Sequence, residues 1–316
     1  MRKTTEHVIA AALTLVTLAG CGSDDIGADA GTGKCRPDFT ATIGGVQTRV
    51  FDRQWEAGDG IGISGGSYTN VCYLTKEGDG RFTVKTPGDE IYFQDEDEMT
   101  FTAYYPWNSL AEGVTAISAD TWAQAHKKSF DFLWAQASGK KASPEVAFTF
   151  AHRMTKVVLA VKPGNGVGYD EVKAALLSLE GFRHKGTFNI TDGSTSVDDA
   201  TTAMWEFAGN ENAHYNAPAI FNDTEGTVTF PLIFFPQEFD EPLPFFAKLA
   251  GGQTLKAEID FTAANREKDG ADAKNEWVAG RQYKLTVTLH KTGITLDNCS
   301  IMPWEEVNGG NIDAEQ

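Results

Sequence analysis

Cysteine and proline are scarce in this chain of 316 residues: four cysteines, none in Cys-x-x-Cys spacing, and 11 prolines against 32 glycines. Without paired cysteines a zinc site has little support. Basic residues are also short. The 27 Lys and Arg against 44 Asp and Glu leave a net charge of −17, and phosphate backbones repel such a polyanion, which argues against nucleic-acid binding. No apolar run reaches the ~20 residues that a bilayer-spanning helix needs. The sequence therefore implies no cofactor, no metal and no catalytic residues. What is present is 41% apolar and 11% aromatic residues, enough for a sizeable core. The abundant glycine and the lack of long helical stretches point to strands and turns, and the length suits two domains.

The N-terminus reads as an address. Arg2 and Lys3 precede the apolar run Val8 to Leu18, which is too short to span a bilayer and fits the core of a secretory signal. Leu18-Ala19-Gly20-Cys21 resembles a bacterial lipobox, where a peptidase cuts before a cysteine that carries lipid. Cys21 is thus the expected lipidation site, with residues 1–20 the signal peptide. Several acyl chains anchor stably where one is marginal. Residues 21–37, glycine-rich and polar at their start, read as a flexible linker, with Asp24 and Asp25 resembling acidic surface-export tracts. Cys35, Cys72 and Cys299 remain, and they allow at most one internal disulfide whose pairing is open.

Strand periodicity runs through the remainder. Tyr283, Leu285, Val287 and Leu289 alternate with polar residues, as do Leu255 to Phe261 and Met99 to Tyr105, with shorter runs at Arg81–Lys85 and Glu145–Phe150. Val157–Val161 and Leu232–Phe235 are continuous apolar runs, suited to strands covered on both faces. Around Val172 to Leu179 helical and strand spacings compete. Lys162-Pro163-Gly164-Asn165-Gly166 stops any regular element and reads as a hinge. The expectation is an all-β chain of two tandem sandwich domains, residues 38–165 and 166–316.

Several motifs match only in letters. Gly60 to Gly65 satisfies Gly-x-Gly-x-x-Gly, and Gly62 to Gly66 satisfies Gly-x-Ser-x-Gly around Ser64. Both need a helix afterwards, and the strand-forming residues Ser67 to Tyr73 follow instead. Asp95 to Glu98, with Asp89 and Glu90, lacks the spacing of a calcium loop and reads as a solvated acidic turn.

An ordered set of local motifs resembles the Bacteroidales fimbrillin family, the Mfa-like subunits of type V pili. It comprises FTATIGGVQTR (39–49), WEAGDGIGI (55–63), AYYPW (103–107), DFLWA (131–135), FTFAHRMTKV (148–157), FPQ (235–237), WVAGRQY (277–283) and IMPW (301–304). The resemblance implies two transthyretin-like β-sandwiches in tandem, not an enzyme. It also implies a lipid-anchored precursor at the outer membrane, a trypsin-like protease that cuts after an arginine, and assembly with other fimbrial subunits by strand exchange. Carried onto this chain, Arg49 is the processing site, with Arg53 and an uncut chain as alternatives. Phe39, Ala41 and Ile43 are the buried face of the strand that leaves. The polar tail after Trp304 is a poor groove filler, so stalk and tip or accessory positions both stay open. The competing reading is a non-polymerising surface lipoprotein that binds glycans or host ligands, with Tyr68, Tyr104 or Trp122 as platforms.

Overall fold

The computed structural model describes residues 34–44, 55–200, 202–208, 219–297, 299–302 and 304. Cys21, Arg49, Arg53, the signal segment and the tail beyond Trp304 lie outside them. The described residues are mostly β-strand, as the periodicity requires.

The first half contains β1 (Asp38–Ile43), β2 (Gly60–Gly65), β3 (Tyr68–Leu74), β4 (Arg81–Val84), β5 (Met99–Tyr105), β6 (Ala116–Asp120), β7 (Leu133–Gly139) and β8 (Glu145–His152). Seven of them close into a ring in the order β1-β4-β3-β2-β5-β7-β8, with β6 left out. Their inward residues, among them Phe39, Ile61, Ile63, Phe82, Phe101, Val146 and Phe148, form one core cluster.

The second half begins with β9 (Thr155–Pro163), helix α1 (Tyr169–Ala174), β10 (Leu176–Arg183), β11 (Lys185–Asn189), β12 (Thr195–Val197) and β13 (Thr202–Ala208). It continues with β14 (Ile220–Asn222), β15 (Thr227–Phe234), β16 (Gln237–Glu238), β17 (Leu243–Lys248) and β18 (Thr254–Ile259). Helix α2 (Thr262–Asp269), β19 (Glu276–Trp277), β20 (Gln282–His290), β21 (Gly293–Leu296) and β22 (Ser300–Met302) complete it. A four-stranded sheet, β13-β10-β17-β18, faces a six-stranded one, β14-β15-β9-β20-β21 with β22 also on β20, around a second core cluster. Every residue from Thr155 to Val161 is buried, and so is every residue from Phe230 to Phe235, as continuous apolar runs in central strands should be. The ambiguous segment contains both of its alternatives, α1 followed by β10.

β9 precedes residue 165, the expected division, and pairs with β15 and β20, which follow it. The turn after β9 is tied to the end of β20: Gly164 donates to the Leu289 carbonyl at 2.8 Å and Asn165 to Nδ1 of His290 at 2.9 Å. The two halves meet instead around β6, which pairs with β11, itself paired with β12. A third core cluster fills this junction, where Phe132 stacks on Phe188 with centroids 4.5 Å apart. Gln124 works there as a surrogate strand residue. Its amide donates to the Ile233 carbonyl at 2.7 Å and accepts from the Ile233 N–H at 2.8 Å.

Candidate functional site

β1 is the strand that closes the ring. It runs antiparallel to β4 at Phe39↔Phe82 and Thr40↔Arg81. It runs parallel to β8 from Asp38↔Glu145 to Ile43↔Phe150. Hydrogen bonds outside the regular ladder fix its two ends: Asp38 donates to the Pro144 carbonyl at 2.9 Å and Gly44 to the Phe150 carbonyl at 2.8 Å. Taking β1 away would leave β4 and β8 as unpaired edges, the kind of template that recruits another strand.

The alternation of apolar and polar residues decides which face of β1 is inside. Phe39, Ala41 and Ile43 are buried, whereas Asp38 and Thr42 are exposed. The Phe39 ring lies edge-on to Tyr73 at 5.0 Å and to Phe101 at 5.2 Å, and stacks on Phe148 at 5.8 Å. Burying such a ring is worth about 2 kcal/mol. Burial also pushes the Tyr73 phenol up to about 12, while its oxygen accepts from the Ile91 N–H at 3.0 Å.

Two residues hold the middle of the strand. The Trp55 indole donates to the Ala41 carbonyl at 2.9 Å and packs edge-on against Phe82, Tyr105 and Phe150. Gly80 accepts from the Ala41 N–H at 2.8 Å. At φ +80° a Cβ on Gly80 would stand 2.4 Å from the Ala41 carbonyl oxygen, so only glycine fits. The segment after Trp55 is locked by Asp59, whose carboxylate accepts from the Glu56 N–H at 2.8 Å and from the Tyr105 hydroxyl at 3.2 Å. Burial, with the Asp59 charge second, raises the Tyr105 phenol further still.

The other motif residues are structural knots. Trp107 donates from its backbone to the Gly60 carbonyl at 2.9 Å. Tyr104 hydrogen-bonds Asn70 at 2.8 Å. In the second half Asn265 is wholly buried and accepts from the Tyr283 hydroxyl at 2.7 Å and from Arg281 at 3.0 Å. Trp277 stacks on Phe234 at 4.6 Å. Asn265, Tyr73 and Gly80 were not singled out from the sequence. Gly80, in the turn Glu77-Gly78-Asp79-Gly80, carried the only local signal.

Of the three aromatic platforms, Tyr104 is corrected: it is 1% exposed, because β11 brings Phe188 over the outer face of β5. Trp122 is 53% exposed beside His184, and Tyr68 is half-buried. Ser64 sits within β2, its hydroxyl accepting from the Asn70 N–H at 2.9 Å, and a turn and β3 follow rather than a helix. Cys35, Cys72 and Cys299 carry no disulfide. Glu96 of the acidic turn pairs with Lys141 at 3.0 Å. Among the described residues no helix is long and apolar enough to cross a membrane.

A family model described as fimbrillin-like matches residues 48–304. A Bacteroides uniformis protein provisionally named fimbrium subunit Fim1C is 28% identical, over 96% of this chain and 97% of its own length. The crystal structure of a protein provisionally described as a cell adhesion protein, also from Bacteroides uniformis, superposes with a TM-score of 0.65 at 25% identity, covering 85% of this chain and 99% of that one. A similarly described structure from Bacteroides ovatus gives 0.63 at 22% identity, over 86% and 100%.

Proposed function

The chain belongs to the fimbrillin-like family, and from that premise we propose that it is a structural subunit of a surface fimbrium that assembles by strand exchange. It is exported as a lipoprotein on Cys21, held at the outer membrane, and cut after Arg49 by a trypsin-like protease. β1 then departs with the lipid, and a strand from another subunit takes its place. The tandem modules are transthyretin-like, and the chain passes from one to the other between His152 and Thr155.

The observation that carries this reading is the position of β1. Among the described strands it alone joins β4 to β8, it buries an apolar face built on Phe39, and it ends just before the segment that contains Arg49. An incoming strand would recover main-chain hydrogen bonds along both edges and refill the pocket left by Phe39. The test is the N-terminal residue and intact mass of the protein taken from native outer membranes and shed filaments. A start at Val50 supports processing, and a start at Gln54 moves the cut to Arg53. A full-length acylated chain in the filaments overturns the proposal. Arg49→Ala should leave a soluble, self-complemented monomer, and Cys21→Ala should abolish labelling by a fatty acid.

A further inference from the structure

Beside the first ring lies an open cleft of about 540 Å³, a size within the ~300–1,000 Å³ range of small-ligand sites. It is lined by Tyr68 and Trp107, by Lys85 and Thr86, and by Asp89 and Glu90. We propose that this cleft is a binding site for a neutral saccharide, and that Tyr68, Trp107, Lys85, Asp89 and Glu90 are its recognition residues.

The lining has the components that a sugar ring requires. Trp107 and Tyr68 are half-buried aromatic surfaces for the C–H face of a pyranose. The indole is held in place by its backbone bond to Gly60 and by a 3.4 Å bond from its N–H to the Asn70 carbonyl. The rigid seat means little side-chain freedom is lost on binding. Around these rings stand acceptors for sugar hydroxyls, the Asp89 and Glu90 carboxylates, and a donor, the Lys85 ammonium, which lies 4.4 Å from the Trp107 ring centroid. Glu90 is already oriented by the Gly88 N–H at 2.9 Å.

Charge selects the ligand class. Asp89 and Glu90 repel an anionic ligand. Lys85 repels a cationic one. A neutral polyol meets both signs favourably, as donor to the carboxylates and acceptor to the ammonium. The cleft lies on β3 and the turn after β4.

The full chain is incubated on an array of galactose-, glucose-, mannose- and fucose-terminated neutral oligosaccharides, with sialylated and sulfated ones alongside, and hits are measured by titration calorimetry. At least one neutral structure should bind. Tyr68→Ala and Asp89→Asn, both at the rim, should each weaken it by about tenfold or more, while Trp122→Ala outside the cleft should leave it unchanged. Trp107→Ala should abolish binding, read only if its far-UV circular dichroism matches the parent. No neutral hit, binding confined to acidic glycans, or unaltered affinity in the two rim variants would each overturn the assignment.

Discussion

The His152 imidazole lies flat on the Trp304 indole, with 3.9 Å between ring centroids and 12° between planes. His152 ends β8, and its Nδ1 is 3.0 Å from the Asp131 carboxylate. The Lys156 ammonium approaches the other partner, 5.8 Å from the Trp304 ring centroid. Three motifs far apart in the chain therefore converge on one contact at the junction of the halves. Trp304 is 6% exposed and belongs to the junction cluster. Trp304→Ala should cost about 3–5 kcal/mol, read as a lower midpoint in guanidinium unfolding. An unchanged midpoint would mean that the stack is incidental.

Gly80→Ala tests how tightly β1 is held. The added methyl must intrude on the Ala41 carbonyl and adopt a positive φ. The loss should exceed ~1 kcal/mol, with faster hydrogen exchange across residues 38–43 than in β5. Equal exchange rates in parent and variant would show that the strand tolerates the intrusion.

Phe39→Ala should be more severe, at about 3–5 kcal/mol, because the ring touches Tyr73, Phe101 and Phe148 together. Thr42→Ala on the exposed side of the same strand should change the melting temperature little. Similar losses in both variants would contradict the inward and outward alternation of β1.

Asn265 bridges Tyr283 and Arg281 through its oxygen, and its amide donates to the Lys274 and Glu276 carbonyls at 3.0 and 2.9 Å. Asn265→Ala would orphan buried partners at about 1–3 kcal/mol each. Arg281 keeps its ion pair with Asp269, so the damage should centre on Tyr283. A lower midpoint in urea unfolding checks this, and an unchanged midpoint would mean that the bridge carries no stability.

Burial pushes the phenols of Tyr73, Tyr104 and Tyr283 each up to about 12, against an ordinary value of 10.0. A phenol raised in the folded state holds its proton there more tightly than in the unfolded chain. Its stabilisation is complete below pH 10.0 and is lost as pH rises toward 12. Unfolding free energy should therefore fall across that alkaline window. Ultraviolet titration should show a slow tyrosine fraction that ionises only as the protein opens, and a single ordinary phenol transition would refute this.

Local period carried much of the architecture. β5, β8, β9, β15 and β20 all follow runs whose alternation or continuity was visible in the residues. What escaped was non-local. The sequence of β5 marks Tyr104 as the polar-side residue, but its face is decided by Phe188, which arrives on a strand more than eighty positions later. The pairing of β6 with β11 has no signature in either strand. Helix α2 was hidden because it buries only Ala264 and Asn265, too few to leave an apolar stripe. At the candidate site the inward set Phe39, Ala41 and Ile43 was readable, whereas Gly80 and Tyr73 become part of it only once β3 and β4 fold alongside.

The direction of β1 has a mechanical corollary. With β8 it shares rungs from Asp38↔Glu145 to Ile43↔Phe150, all in one orientation, but with β4 only those at Phe39 and Thr40. Tension applied along β1 loads its long β8 ladder in shear, so those rungs must yield together, while the short β4 ladder shares little of the load. Resistance to pulling β1 out would then reside in β8, and weakening that flank should lower the force needed more than weakening the other.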